Sequence, residues 1–124
     1  MEVRHSKFGR GVFATRDYSN GEIIEVCPVI VLDEADTKII DKTILYNYYF
    51  SWGADIDKAA IALGNGSLYN HSYHPNAKYI KKFDKDEVHF VAIKTILNGE
   101  EIFVNYNHDP KSNAPLWFDA DPDF

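Results

Sequence analysis

Three groups of residues in this chain have types and spacings that could do chemistry. The first is Lys7-Phe8-Gly9-Arg10-Gly11-Val12-Phe13-Ala14, with two glycines around one residue at a strand start. Glycine there lets backbone amides and carbonyls come close to a ligand. With no third glycine and no following helix, it is not the dinucleotide fingerprint. The second is the polar, turn-forming Tyr69-Asn70-His71-Ser72-Tyr73-His74-Pro75-Asn76. No carboxylate or thiol stands at zinc-ligand spacing from His71 and His74, which argues against a metal centre. Ser72 and His71 do not make a nucleophile–base pair, because adjacent residues in a strand or turn rarely face each other. The third group is the tyrosines: Tyr106 at the end of Gly99-Glu100-Glu101-Ile102-Phe103-Val104-Asn105-Tyr106, Tyr79, and Tyr48 within Tyr46-Asn47-Tyr48-Tyr49-Phe50-Ser51-Trp52. A tyrosine ring can wall a narrow channel while its hydroxyl makes one directed polar contact. Core packing is the reading for Tyr18, Tyr46 and Tyr49.

The elements that must position these residues are short. A chain of 124 residues suits one domain, 1–124, with a core over about 3–107 and a tail over 108–124. A hydrophobic content of 45%, with eight Tyr and eight Phe, supports a folded globule rather than a disordered segment. A single cysteine, Cys27, excludes an internal disulfide framework. Thirteen basic against nineteen acidic residues give a net charge of −6, which disfavours phosphate-backbone binding; by itself it reads first as ordinary solubility, and it also suits a cationic partner. No apolar run is long enough for a membrane span, and Met1-Glu2-Val3-Arg4-His5 is unlike a secretory signal. The expected setting is intracellular, nuclear or cytoplasmic, of a host cell if the gene is viral or bacterial.

Turn chemistry divides the chain into strands. Gly9-Arg10-Gly11 is expected as a turn between Arg4–Ser6 and Gly11–Thr15. Ser19-Asn20-Gly21 leads into the apolar run Ile23–Leu32, where Pro28 predicts an edge or a bulge. Asp33 to Asp36 supply capping residues before Ile39, Ile40, Ile44 and Leu45, whose spacing predicts a short helix. Ala59–Leu63 reads as a strand. Ala77–Phe83 and Glu87–Ile93 read as a hairpin over Asp84-Lys85-Asp86, and Asn98-Gly99 turns into Glu101–Val104. The result is a mainly β domain with little helix and no βαβ pattern.

The Asn70–Asn76 segment, followed by the strand to Tyr106 and preceded by the Gly9–Ala14 element, resembles the signature motifs of SET-domain protein-lysine methyltransferases. The match runs in order from Gly9 to Tyr106, and the chain is similar in kind to the minimal stand-alone SET proteins of viruses and bacteria. The resemblance implies several short antiparallel sheets and a C-terminal pseudoknot that brings the two motifs together. It implies S-adenosyl-L-methionine as cofactor, held by Phe8, Gly9, Arg10, Gly11, Tyr69, Asn70, His71, Tyr106 and Trp117. Within that set Asn70 would bind the amino-acid end and His71 the adenine. It makes Tyr106 the catalytic tyrosine, with Tyr48 and Tyr79 as further channel tyrosines, and Tyr48, Tyr79, Val104 and Tyr106 as the lysine-binding wall. No metal is implied.

Three departures from the family pattern bear on these expectations. The region where many members carry Tyr-x-Gly reads Glu25-Val26-Cys27-Pro28, for which Tyr48 can compensate. Val104 replaces the Phe or Tyr common two residues before the catalytic tyrosine. Cysteine-rich zinc segments are absent, so the 108–124 tail is expected to close the lysine channel, with Trp117 and Phe118 folding over it or, as the alternative, packing in the core. The expected substrate is a protein lysine, on a histone H3-type basic tail. Tyr79 leans the product towards mono- or dimethyl-lysine, while Val104 leaves room. A homodimer fits the exposed edges of a small SET protein. No direct nucleic-acid partner and no membrane are expected. The alternative is a catalytically silent SET-like module that binds a basic peptide, and an unrelated β-rich metal-binding domain ranks below both.

Overall fold

The computed structural model describes residues 1–54 and 57–116. In chain order the strands are β1 (Glu2–Ser6), β2 (Gly9–Phe13), β3 (Ile23–Leu32), β4 (Phe50–Trp52), β5 (Lys58–Ala62), β6 (Asn70–His71), β7 (Ala77–Lys82), β8 (Glu87–Ala92) and β9 (Glu101–Val104). One helix, α1 (Glu34–Ile40), and a 3-10 turn over Ile44–Asn47 lie between β3 and β4. The strands form two sheets, ordered β1-β2-β9-β6 and β4-β5-β3-β8-β7. All ladders are antiparallel except β6 with β9, a two-residue parallel pairing of Asn70 with Phe103 and His71 with Val104.

The β7–β8 hairpin follows its sequence pattern. Ala77 and Tyr79 on one strand, and Val88, Phe90 and Ala92 on the other, alternate inward with period two. The turn between them places Asp86 at φ 51°, a left-handed position that aspartate tolerates. Phe90 stacks on Tyr69 with ring centroids 4.0 Å apart, and Val12, Cys27, Ile96, Ile102 and Val104 complete a core with almost no exposure. Each large apolar side chain buried this way contributes about 1.5–3 kcal/mol relative to exposure.

Other elements differ from the sequence expectation. The first turn falls on Lys7-Phe8, not on Gly9-Arg10-Gly11, because Ser6 pairs with Gly9 and Arg4 with Gly11. Gly9 leaves that turn at φ +102°, a conformation that favours glycine. Gly11 lies in mid-strand for a different reason: a Cβ there would collide with the Glu101 carboxylate and come within 2.8 Å of the Asn70 side-chain nitrogen. Pro28 does not end β3, and the expected edge appears on each side in turn. Residues 23–28 pair with β8 and 29–32 with β5, so the missing proline N–H falls where the strand changes partners. The Pro28 carbonyl still accepts a bond from Leu63 N at 2.9 Å.

The expected helix is interrupted. Asp33 caps α1 by accepting from Asp36 N at 2.8 Å, and Thr37 ties it to β5 by accepting from Ala59 N at 3.0 Å. The chain then leaves the helix over Asp41–Thr43, and Thr43 caps the separate 3-10 turn. Ile39 and Ile44 are 64% and 72% exposed, so no buried face holds the four apolar residues on one helix.

Candidate active site

The two motifs meet because side chains extend a very short parallel ladder. Asn76 Oδ1 accepts from Phe103 N at 2.8 Å, and its Nδ2 donates to the Glu101 carbonyl at 2.9 Å. One buried amide thus stands in for a paired strand against β9. Ser72 N donates to the Val104 carbonyl at 2.9 Å, and Tyr106 N donates to His71 Nδ1 at 3.0 Å. Burial lowers the His71 pKa to about 4, so the ring is neutral near pH 7 and Nδ1 keeps its lone pair for that bond. These contacts hold the C-terminal strand and the residues after it against the Asn70–Asn76 segment.

Tyr106 is aimed by backbone. Its hydroxyl donates to the Tyr69 carbonyl at 2.6 Å, and its own carbonyl accepts from the Tyr79 hydroxyl at 3.3 Å. Tyr79 packs edge-on against Phe50 at 5.1 Å. Burial raises the pKa of the Tyr79 phenol to about 12. It pushes Tyr106 further up, with Tyr48, Tyr79 and Glu101 adding to the effect. Both phenols are therefore neutral at physiological pH and act as directed hydrogen-bonding groups, not as phenolate bases.

Two cavities adjoin this tyrosine. The larger, about 790 Å³, is lined by Phe8, Gly9, Arg10, Asn70 and His71. The smaller, about 380 Å³, is lined by Tyr46, Tyr49, Phe50, Tyr69, Tyr79, Lys81, Val104 and His108, among others. Asn47, Tyr48, Ser67 and Tyr106 line both. Residues spread from position 8 to position 108 thus converge on two chambers with a common wall.

Most of the expected site residues lie in these walls. Phe8, Gly9, Arg10, Asn70, His71 and Tyr106 border the larger chamber; Tyr48, Tyr79, Val104 and Tyr106 border the smaller. Gly11 lies behind, where its missing side chain admits Asn70. Tyr69 faces the smaller chamber, and its hydroxyl bonds Glu25. Trp117 and Phe118 lie outside the described residues. The tail up to Ala114 folds back on the site: Asn105 Nδ2 donates to Ser112 O at 2.7 Å, and Asn107 Nδ2 and the Tyr73 hydroxyl donate to Ala114 O at 2.8 and 3.1 Å.

Sequence reasoning overlooked several lining groups and misplaced two. Tyr18 is core at 4% exposure, but Tyr46 and Tyr49 are not: they line the smaller chamber, and Tyr49 OH donates to Asp41 at 2.8 Å. Asn47, Ser67, Lys81, Asn107 and His108 carry no local signal and become visible only when the chambers form. Among the described lining residues of the smaller chamber there is no carboxylate, and its basic groups are Lys81 and His108. Burial lowers the pKa of both, and the Lys81 charge lowers that of His108 further.

The larger chamber has a donor set that fits an amino-acid-bearing cofactor. Asn70 Nδ2 donates to the Arg10 carbonyl at 2.9 Å and to Glu101 at 2.7 Å. Its Oδ1 then remains as an acceptor suited to an ammonium group. The Arg10 guanidinium suits a carboxylate. The Phe8 ring, edge-on to Phe103 at 5.9 Å and with Lys7 Nζ 4.9 Å from its centroid, is an aromatic part of the wall. Open backbone at Gly9, with no atom within 4 Å of a would-be Cβ, allows close approach.

Comparison with known proteins agrees with this geometry. A family model described as SET domain matches residues 9–107. A Schizosaccharomyces pombe protein named histone-lysine N-methyltransferase, H3 lysine-37 specific, is 29% identical over 121 residues, 96% of this chain and 77% of the relative. A crystal structure described as a Plasmodium falciparum histone methyltransferase superposes with a TM-score of 0.64 at 29% identity, covering 87% of this chain and 97% of that one. A chain of the ctPRC2 assembly shares the fold, with a TM-score of 0.71 at 20% identity over 84% of this chain and 14% of that one. With the family pattern matched from the glycine element of β2 to the residue after Tyr106, this mainly β chain belongs to the SET domain family.

Proposed function

We propose that this chain is a protein-lysine N-methyltransferase that methylates a lysine of a histone H3-type basic tail, using S-adenosyl-L-methionine. The observation that carries the reading is the pair of chambers sharing a wall at Tyr48 and Tyr106. A methyl transfer between two ligands needs them held in separate sites that touch at one point, in line. The cofactor, when bound, supplies an electrophilic sulfonium methyl.

Phe8, Gly9, Arg10, Asn70 and His71 hold that cofactor in the larger chamber, with Gly11 and Tyr69 supporting from behind. The smaller chamber takes the lysine side chain between Tyr48, Tyr79, Val104 and Tyr106. Its aromatic walls cover the aliphatic stem, and the hydroxyls of Tyr48, Tyr79 and Tyr106 orient the amine. The amine must lose its ammonium proton before it can attack, from an ordinary pKa of about 10.4. A half-buried aromatic wall bearing Lys81 and no carboxylate disfavours the charged form and so assists release of that proton to solvent. The segment 108–116 closes the lysine chamber, in line with its return onto Tyr73 and Asn105.

The partner class follows from charge. A surface of net charge −6 draws in a basic peptide, consistent with the histone substrates named for the relatives. Such a substrate is met in the nucleus or, before assembly, in the cytoplasm. No helix among the described residues is long and apolar enough to cross a membrane. The outer strands β4 and β7, with exposed Ile30 and Ile44 elsewhere on the surface, suit association into a homodimer.

The test is incubation with methyl-labelled S-adenosylmethionine and histone H3. Label should appear on lysine, and Tyr106→Phe should lower kcat by about a hundredfold or more while cofactor affinity changes less than about twofold. Cofactor binding without transfer to any lysine would leave only a silent peptide-binding module.

A further inference from the structure

The turn joining β5 to β6 carries residues of both chambers, Ser67 and Tyr69 among them, and also the carbonyl that receives the Tyr106 hydroxyl. What holds this turn is a carboxylate on β3. Glu25 Oε2 accepts from Asn65 N at 3.0 Å, and Glu25 Oε1 accepts from the Tyr69 hydroxyl at 2.8 Å. One side chain therefore grips both ends of the five-residue segment Asn65–Tyr69.

The fit around it is close. Gly64 stands at φ +64°, and a Cβ there would lie 2.6 Å from Glu25 Oε2. A Cβ at Gly66 would lie 2.6 Å from Ala62 Cβ and 3.1 Å from Cys27 Sγ. The two glycines let the turn press onto β3 at Glu25 and Cys27, and no other residue type would. Tyr69 itself is 2% exposed and stacked on Phe90 with an interplanar angle of 12°, so its ring has little freedom to move sideways. The remaining motion is a slide or tilt along the stack, and the bond to Glu25 opposes it.

We propose that Glu25 is a positioning residue for methyl transfer, acting through Tyr69 and the 65–69 turn to aim the Tyr106 hydroxyl. The relay runs from the Glu25 carboxylate to the Tyr69 hydroxyl, along the Tyr69 residue to its carbonyl, and across 2.6 Å to Tyr106. Glu25 touches neither chamber, so its effect is on geometry alone. The family's Tyr-x-Gly is missing from this stretch of β3, and the carboxylate gives the stretch a different task. Burial and the Glu25 charge both raise the Tyr69 phenol pKa, which keeps that hydroxyl a donor at all working pH values.

The proposal rests on the methyl-transfer reading above, and its test separates the two. Glu25→Gln, Tyr69→Phe and the double variant are prepared, with Tyr106 assigned in the tyrosine ¹³Cζ spectrum by loss of its signal in Tyr106→Phe. Each single variant should shift the Tyr106 resonance and lower kcat about tenfold, with cofactor Kd changed less than twofold. The double variant should be no slower than the slower single one, because both substitutions cut the same relay. An unmoved Tyr106 resonance in Glu25→Gln would overturn the proposal, whatever the activity. So would losses in kcat that multiply in the double variant, or cofactor affinity falling as far as kcat. If Tyr69→Phe does not fold, the near-isosteric Glu25→Gln decides alone through the resonance and the split between kcat and Kd. Absence of transfer by the parent protein would overturn the methyl-transfer reading and leave the resonance test standing.

Discussion

The backbone N–H of Tyr106 donates to Nδ1 of His71 at 3.0 Å, so the strand end that bears the tyrosine is held by a neutral imidazole from the other motif. The bond requires an unprotonated Nδ1, and burial supplies that condition by lowering the His71 pKa from an ordinary 6.5 to about 4.

Acid stability follows from this bond. In the unfolded chain His71 takes up its proton near pH 6.5, and in the folded chain only near pH 4. Its contribution to stability is therefore fully present above pH 6.5 and is lost as pH falls towards 4. Urea midpoints measured from pH 7.5 to pH 4 should decline through that window. His71→Asn, whose side-chain oxygen can still accept from Tyr106 N, should show a shallower decline. Parallel curves for the two proteins would contradict the assignment.

Asn76 replaces a whole strand with one amide. It is 6% exposed and satisfies both Phe103 N and the Glu101 carbonyl. Asn76→Ala leaves those two groups unpaired, at a cost of about 2–3 kcal/mol. Equilibrium urea unfolding should show that loss as a lower midpoint at unchanged slope. A change below about 0.5 kcal/mol would mean that water or a neighbour takes over both bonds.

Product state should respond to Tyr79. Its hydroxyl occupies the smaller chamber beside Tyr106, where it can hold a water in the space that further methyl groups would need. The parent enzyme should release mainly mono- and dimethyl-lysine at early turnover. Tyr79→Phe should raise the trimethyl share on the order of tenfold, the scale of a methyl-sized change in a fitted pocket. Intact-peptide mass spectra read the outcome directly, and an unchanged distribution would remove Tyr79 from this role.

Much of the fold was legible in the sequence where the signal is local. Period-two alternation set out the β7–β8 hairpin, Asp33 marked the start of α1, and Asn98-Gly99 led into β9 as expected. Each depends on a side chain's preference over a few neighbouring residues, which the sequence states directly. The ordered motifs from Gly9 to Tyr106 likewise pointed to the SET family, because they carry residue types that few other arrangements require.

Tertiary structure decided everything that depends on residues far apart in the chain. β6 is only two residues long and exists because β9 pairs with it from thirty residues away, helped by the Tyr106 N–H on His71 and by Asn76, which bonds to β9. Gly11 is a glycine because of Glu101 and Asn70, and β3 survives Pro28 because two different partners meet there. Tyr46 and Tyr49 could not be told from core residues until the 3-10 turn set them at the chamber. The sequence alone determined which chemical groups are available and which short segments they favour. The shared wall at Tyr48 and Tyr106, and the grip of Glu25 on the turn behind it, arise from packing between segments, and no local propensity encodes them.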